Sequence, residues 1–254
     1  METVPSLFSL EGKVAAVTGV SRGLGQAMAV ALAQAGADVV GIGFHGMDQT
    51  KGQVEALGRR AVSVQADLSQ SGRMPDVAAR AIAAFGRVDV LVNNAGIIRL
   101  DPAEEIKEAD FDAVMAVNLR ALFLLTREIG RQMIARGGGK IINICSVQSI
   151  KGGFDDAAYV ASKHAVAGLT KALANEWGRY HICVNGIAPG FMVTDNTAKL
   201  RTQKEKVAAI NAQIPLGRWG QPADLMGPVI FLASAASDYV NGHLLVADGG
   251  YLNC

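Results

Sequence analysis

Short apolar runs alternate with amphipathic stretches along the chain. Runs at 13–18, 38–43, 61–65, 88–93, 140–145, 181–187 and 243–247 predict seven strands. They are mostly apolar without clean alternation, the pattern of strands covered on both faces. Helical periodicity fills the gaps, clearest at 26–34, 75–85, 120–135, 159–177 and 223–232. Strand–helix alternation of this kind implies right-handed crossovers. The expected fold is therefore a doubly wound α/β domain: a parallel seven-stranded sheet with helices on both faces, of Rossmann type. No internal repeat or Pro/Ser-rich linker interrupts it, so residues 1–254 read as a single dinucleotide-binding catalytic domain. The least regular stretch, 190–215, follows Pro189-Gly190 and carries Thr194, Asp195, Asn196 and Thr197. It is expected to form a substrate lid, because loops at the carboxyl ends of strands hold ligands in such folds.

Composition narrows the function. A chain of 254 residues with net charge +1 lacks the basic excess expected of a nucleic-acid binder. No apolar stretch has the length of a membrane span, and residues 1–13 lack a secretory pattern. Cys145, Cys183 and Cys254 have no metal-ligand spacing, so no metal site is expected. A reduced, cytoplasmic protein is the expectation, with Cys145 and Cys183 as core fillers.

Thr18-Gly19-Val20-Ser21-Arg22-Gly23-Leu24-Gly25 joins the first strand to the first helix. Gly19 suits a tight turn, Gly23 lets the backbone approach a pyrophosphate, and Gly25 allows close helix–strand packing. The helix amino end beyond them offers free N–H groups to phosphates. Position at this junction points to a dinucleotide, NAD or NADP. The second strand ends Gly41-Ile42-Gly43-Phe44-His45 without the acid that favours NAD, while Arg22 and His45 suit a 2′-phosphate. Asp67, followed by Leu68, is placed to contact adenine, or else to cap a helix.

Tyr159 and Lys163 lie four residues apart in a helical pattern, so phenol and ammonium share one face. A free phenol titrates near pH 10 and exchanges protons poorly at neutrality. A neighbouring cation favours the phenolate and makes such a group usable in carbonyl–alcohol exchange. Ser146, ending the 140–145 strand, is placed to hold the substrate oxygen, and Asn118 to organise a helix backbone or a proton-relaying water.

These residues together resemble the short-chain dehydrogenase/reductase family along essentially the whole chain. Gly19-x-x-x-Gly23-x-Gly25 resembles its cofactor turn, and Asn93-Asn94-Ala95-Gly96 its second structural motif. Asn118, Ser146, Tyr159 and Lys163 match its catalytic tetrad. Pro189-Gly190 and Asp248-Gly249-Gly250 match later landmarks. The resemblance implies that Tyr159 is the acid–base group, Ser146 the carbonyl orienter and Asn118 part of a proton relay. Lys163 would bind the nicotinamide ribose while tuning Tyr159. Coenzyme contacts would come from Gly19, Ser21, Arg22, Gly23, Leu24, Gly25, Asp67, Leu68, Asn94, Ala95, Gly96, Tyr159, Lys163, Pro189, Gly190 and Thr194. The resemblance also implies a homotetramer.

Further segments, among them Ala174-Asn175-Glu176-Trp177 and Gly217-Arg218-Trp219-Gly220, resemble family members that oxidise or reduce sugar acids. Ser146, Gln148, Tyr159, Arg99 and Asn196 are then the expected substrate contacts. Those enzymes carry a basic residue before the catalytic tyrosine, where this chain has Phe154-Asp155-Asp156. Two carboxylates there would repel an acidic sugar, leaving Arg99 or Lys151 to bind its carboxylate. The alternatives are a ketoreductase for gluconate or a 3-oxoacyl chain, and a nucleotide-sensing protein without catalysis. Loss of the tyrosine or lysine would mark a sensor, and both are present.

Overall fold

The computed structural model describes residues 3–253. Its strands are β1 Val14–Thr18, β2 Asp38–Gly43, β3 Ala61–Gln65, β4 Val90–Asn93, β5 Gly139–Ile144, β6 Ile182–Pro189 and β7 Leu244–Ala247. They form one seven-stranded sheet in the order β3-β2-β1-β4-β5-β6-β7, with every neighbouring pair parallel. The helices are α1 Val4–Leu7, α2 Gly23–Gln34, α3 Asp48–Ala56, α4 Met74–Phe85, α5 Glu108–Met115, α6 Leu122–Arg136, α7 Ala157–Trp177, α8 Ala198–Arg201, α9 Lys204–Ala212 and α10 Met226–Ala233. The architecture is the doubly wound single domain expected from the sequence.

Two cores explain why the central strands read as unbroken apolar runs. Ala15 and Val17 of β1 face one side, where Met28 and Leu32 of α2 and Val229 and Leu232 of α10 cover them. Val14 and Ala16 face the other, against Val77 of α4, Leu125 and Ile129 of α6 and Leu173 of α7. Period-2 alternation therefore sends successive side chains into different apolar cores. At the edges the burden eases: β3 buries only Ala61 and Val64, and β7 has no fully buried residue.

The strands begin and end within two residues of the expected positions. Helix α2 starts at Gly23 rather than 26, because the glycine turn itself forms its first turn. The expected helix at 120–135 is the second part of a longer one, in which α5 continues through a π-turn, Ala116–Ala121, into α6. At 223–232 a 3-10 turn, Pro222–Leu225, precedes α10. Helix α3 was not expected: it buries only Thr50 and Val54, too few for an apolar stripe. Cys145 is buried, and burial pushes its thiol up while Lys163 pulls it back. Cys183 is only half-buried and approaches the Asp238 carbonyl, so it fills the core less than expected. Cys254 lies outside the described residues.

The first three strands run outward from β1, and the chain then returns to place β4 on its other side. That reversal opens a crevice at the carboxyl ends of β1 and β4. A buried polar ladder fixes the elements around it. Asn93 and Asn143, paired in register on β4 and β5, are bonded through Asn93 Nδ2 to Asn143 Oδ1 at 2.9 Å. Asn93 Nδ2 also donates to Thr126 Oγ1 of α6 (2.8 Å), and Asn143 Nδ2 to Thr170 Oγ1 of α7 (2.9 Å).

Removing one rung strands its partners away from water. Asn143→Ala should lower stability by about 1–3 kcal/mol, read as a fall in the thermal midpoint. An unchanged midpoint would show that the ladder does not secure α6 and α7.

Candidate active site

The site begins at the glycine turn. Gly19 and Gly23 have φ of +66° and +61°, backbone that side chains rarely adopt. A Cβ on Gly25 would lie 2.2 Å from the Gly19 carbonyl oxygen and 2.5 Å from Asn94 Nδ2. The turn is braced from β4: Asn94 Nδ2 donates to the Thr18 and Gly19 carbonyls at 2.9 and 3.1 Å. In return, Thr18 Oγ1 accepts the backbone N–H groups of Asn94 and Ala95, both at 2.9 Å. Ser21 and Arg22 lie on this loop, Leu24 is in the first turn of α2, and the first-turn N–H groups of α2 have no intrahelical partner. A bare, glycine-lined cradle at a helix amino end suits a dinucleotide pyrophosphate. At the end of β2, Phe44 and His45 stand exposed.

The 190–215 segment crosses toward this turn. Gly190 is fixed by its N–H bond to the Ala247 carbonyl, and a Cβ there would meet Asp248 Cα at 2.8 Å. Thr194 caps the 3-10 turn Asp195–Thr197, and its methyl would touch a Cβ on Gly23. Asp195 pairs with Arg22 at 3.0 Å, both side chains being exposed. Asn196 is exposed, and α8 and α9 bury no residue. Asp67 accepts from the Ser69 hydroxyl and N–H, which hold its carboxyl below the usual range. It thus acts as a turn cap, with Leu68 partly buried beside it.

At the carboxyl end of β5, Lys163 is only 5% exposed. Its Nζ donates to the Ile144 carbonyl at 2.6 Å and lies 5.5 Å from the centre of the Tyr159 ring. Tyr159 and Lys163 thus share the face of α7 expected from their spacing. Asn118 sits in the π-turn, where its Oδ1 accepts the Ile97 N–H (2.8 Å) and its Nδ2 donates to the Ile97 carbonyl (2.9 Å) and Ser162 Oγ (3.1 Å). A Cβ on Gly96 would fall 3.3 Å from Asn118 Oδ1 and 3.8 Å from Lys163 Nζ. The loop after β4, the π-turn and α7 therefore converge. Ser146 Oγ accepts the Gln148 N–H at 3.1 Å, and no hydrogen bond joins it to Tyr159 among the described residues.

Around this centre lie the other polar groups that the sequence singled out. The guanidinium of Arg99 is engaged, with Nε 3.2 Å from Asp110 and Nη1 on the Ile98 carbonyl. Lys151 rests its ammonium 4.3 Å from the centre of the Tyr251 ring and has no carboxylate partner among the described residues. Tyr251 packs edge-on to Phe191, which packs on Trp219. The two acids before Tyr159 behave differently. Asp155 is exposed, has φ of +60°, and offers its carbonyl to the Asp101 N–H. Asp156 is buried and accepts from Gln148 Nε2; burial pushes its carboxyl up, the Gln148 bond opposes this, and Asp155 adds to it. Sequence reasoning treated this pair as charge facing the pocket and missed the Gln148–Asp156 contact. They lie eight positions apart across a mostly irregular loop, and no periodic signal links them.

The family model described as "Enoyl-(Acyl carrier protein) reductase" matches residues 19–252. The chain is 52% identical over 248 residues to 2-dehydro-3-deoxy-D-gluconate 5-dehydrogenase of Escherichia coli, covering 97% of this chain and 98% of that protein. It is 42% identical to gluconate 5-dehydrogenase of Gluconobacter oxydans, with 97% of each chain covered. Among solved structures, a putative NAD(P)-dependent gluconate 5-dehydrogenase from Beutenbergia cavernae, with bound NADP, superposes with a TM-score of 0.95 at 47% identity. That match covers 98% of this chain and all of the other.

The glycine turn supplies a direct test. Gly25→Ala forces a methyl against the Gly19 carbonyl and the Asn94 amide, so the turn must open. Its Kd for NADPH, read by fluorescence titration, should rise more than tenfold. A wild-type Kd would mean that the turn does not hold the coenzyme.

Proposed function

The chain belongs to the short-chain dehydrogenase/reductase family, and on that footing we propose that it moves a hydride between NAD(P) and a secondary hydroxyl or ketone of a sugar acid. The substrate we favour is 2-dehydro-3-deoxy-D-gluconate, reacting at C5. The observation that carries the chemistry is the buried Lys163 ammonium beside the Tyr159 ring at the edge of the crevice. The substrate class rests on the likeness to sugar-acid dehydrogenases over almost the full length of both chains.

The nicotinamide, when bound, accepts or gives the hydride. The Tyr159 hydroxyl takes the proton from the substrate alcohol in oxidation and returns it in reduction. Ser146 orients the reacting oxygen toward that phenol. Lys163 stabilises negative charge on Tyr159 and reaches the nicotinamide ribose. Asn118 holds the π-turn and the Ile97 backbone in place, so that a water can carry protons outward past Lys163. Ser21, Arg22, Leu24, Asp67, Leu68, Ala95, Gly96, Pro189, Gly190 and Thr194 complete the coenzyme cleft, with residues 190–215 closing over it. Arg22 and a β2 terminus without a carboxylate favour NADP.

Lys151 is the better anchor for the substrate carboxylate, since Asp110 already neutralises Arg99. Asn196, exposed on the lid, is then left to meet substrate hydroxyls. Assembly as a homotetramer in the cytoplasm completes the reading. It is supported by fully exposed Tyr239, the half-exposed apolar edge strand β7, and exposed Ala161, Gly168 and Ala172 along α7. Gluconate is the second substrate to consider, because relatives and structural neighbours bear that name.

A panel of sugar acids, polyols and simple ketones with NAD(H) and NADP(H), followed by absorbance, tests the reading. The expected outcome is the highest kcat/KM for 2-dehydro-3-deoxy-D-gluconate; preference for a 3-oxoacyl thioester would overturn the substrate class. Tyr159→Phe should lower kcat by roughly 10²–10⁴-fold while coenzyme still binds. Turnover within tenfold of wild type would remove Tyr159 from proton transfer.

A further inference from the structure

Asp156 is unusual among the acids of this protein. It is 5% exposed, its Oδ1 is buried without a hydrogen-bond partner, and no cation pairs with it among the described residues. Its one side-chain partner among the described residues is Gln148 Nε2, which donates to Asp156 Oδ2. Gly153 closes over the pair: a Cβ there would lie 2.1 Å from Gln148 Nε2 and 2.3 Å from Asp156 Oδ1. Both partners are tied to the reacting groups. The Gln148 N–H donates to Ser146 Oγ, and Asp156 immediately precedes α7, three residues before Tyr159.

A carboxamide has a donating end and an accepting end, and here the donating end, Nε2, is taken by Asp156 Oδ2. Asp156 therefore settles which way the Gln148 amide points. With Nε2 held, Oε1 is the free end, and it has no partner among the described residues. A carboxamide oxygen accepts from a hydroxyl but has no donor to offer an ionised carboxylate.

We propose that Asp156 is a positioning residue that pins the Gln148 carboxamide, so that Oε1 accepts a hydrogen bond from a hydroxyl on the carbon next to the reacting one. Gln148 thereby becomes the specificity-determining contact for the polyol end of the substrate, and the substrate carboxylate lies away from it. The inference deepens the sugar-acid reading and rests on it for the identity of the substrate. It turns the two acids before Tyr159 from an obstacle to anionic sugars into a device that orients them.

The test compares kcat/KM for a polyhydroxy acid and for its analogue lacking the hydroxyl beside the reacting carbon, such as gluconate and 4-deoxy- or 6-deoxygluconate. Wild type should favour the hydroxylated member of one pair by about tenfold or more. Gln148→Leu and Asp156→Leu should each bring that ratio close to one, mainly through KM. The double variant should go no further, because Asp156 acts through Gln148. Equal losses on both members of each pair, or additive losses in the double variant, would overturn the proposal. Should Asp156→Leu fail to fold, Gln148→Leu decides alone, since its side chain is only half-buried. If no sugar acid turns over, the substrate assignment fails, and butane-2,3-diol against butan-2-ol puts the same question to Gln148. A wild-type ratio retained in Gln148→Leu on that pair would overturn the proposal independently.

Discussion

A buried ammonium without a counter-ion organises this protein. Lys163 is almost fully enclosed, with a backbone carbonyl and an aromatic ring for company and no carboxylate to pair with among the described residues. Burying a charge in this way is costly unless other groups solvate it. The Ile144 carbonyl supplies part of that solvation. What remains is positive potential beside the Tyr159 ring, which in the proposed mechanism stabilises the oxygen that gains negative charge during hydride transfer. Charge placed before the reaction stabilises such an oxygen without reorganisation, usually the largest single contribution to catalysis.

The scaffold holds that ammonium in place from three sides. The asparagine–threonine ladder links β4 and β5 to α6 and α7, so the lysine's helix cannot slide along the sheet. The π-turn between α5 and α6 directs Asn118 at the loop after β4, and the glycine at position 96 lets Asn118 and Lys163 approach that loop. Thr18 and Asn94 lock the glycine turn to the same loop. The glycine turn and the Tyr159–Lys163 pair, the proposed coenzyme cradle and proton-transfer group, therefore belong to one bonded unit around the crevice.

Much of this was legible in the sequence. Central strands of a parallel sheet are buried on both faces, so their apolar runs are unmistakable, whereas right-handed crossovers leave open the side of β1 to which β4 returns. The glycine turn and the Tyr159–Lys163 spacing are local, so each is visible in a few consecutive residues. What stayed hidden is of two kinds. The π-turn inserts one residue into the helical period, so periodicity resumes only near residue 120 and the helix before it goes unseen. The contact of Gln148 with Asp156 joins residues across an irregular loop, and the engagement of Arg99 by Asp110 likewise depends on tertiary placement. Charge counted along the sequence made Asp156 a repulsive group and Arg99 a free cation, whereas folding gives each a partner.

The proposed chemistry requires Lys163 and Tyr159 to work as one unit. Single-turnover hydride transfer at saturating coenzyme, measured for wild type, Lys163→Met, Tyr159→Phe and the double variant, tests that directly. Each single variant should be slower by at least about a hundredfold, and the double variant scarcely slower than the worse of the two. If the two losses multiplied, or if Lys163→Met transferred hydride at the wild-type rate, the ammonium would not be acting through the phenol.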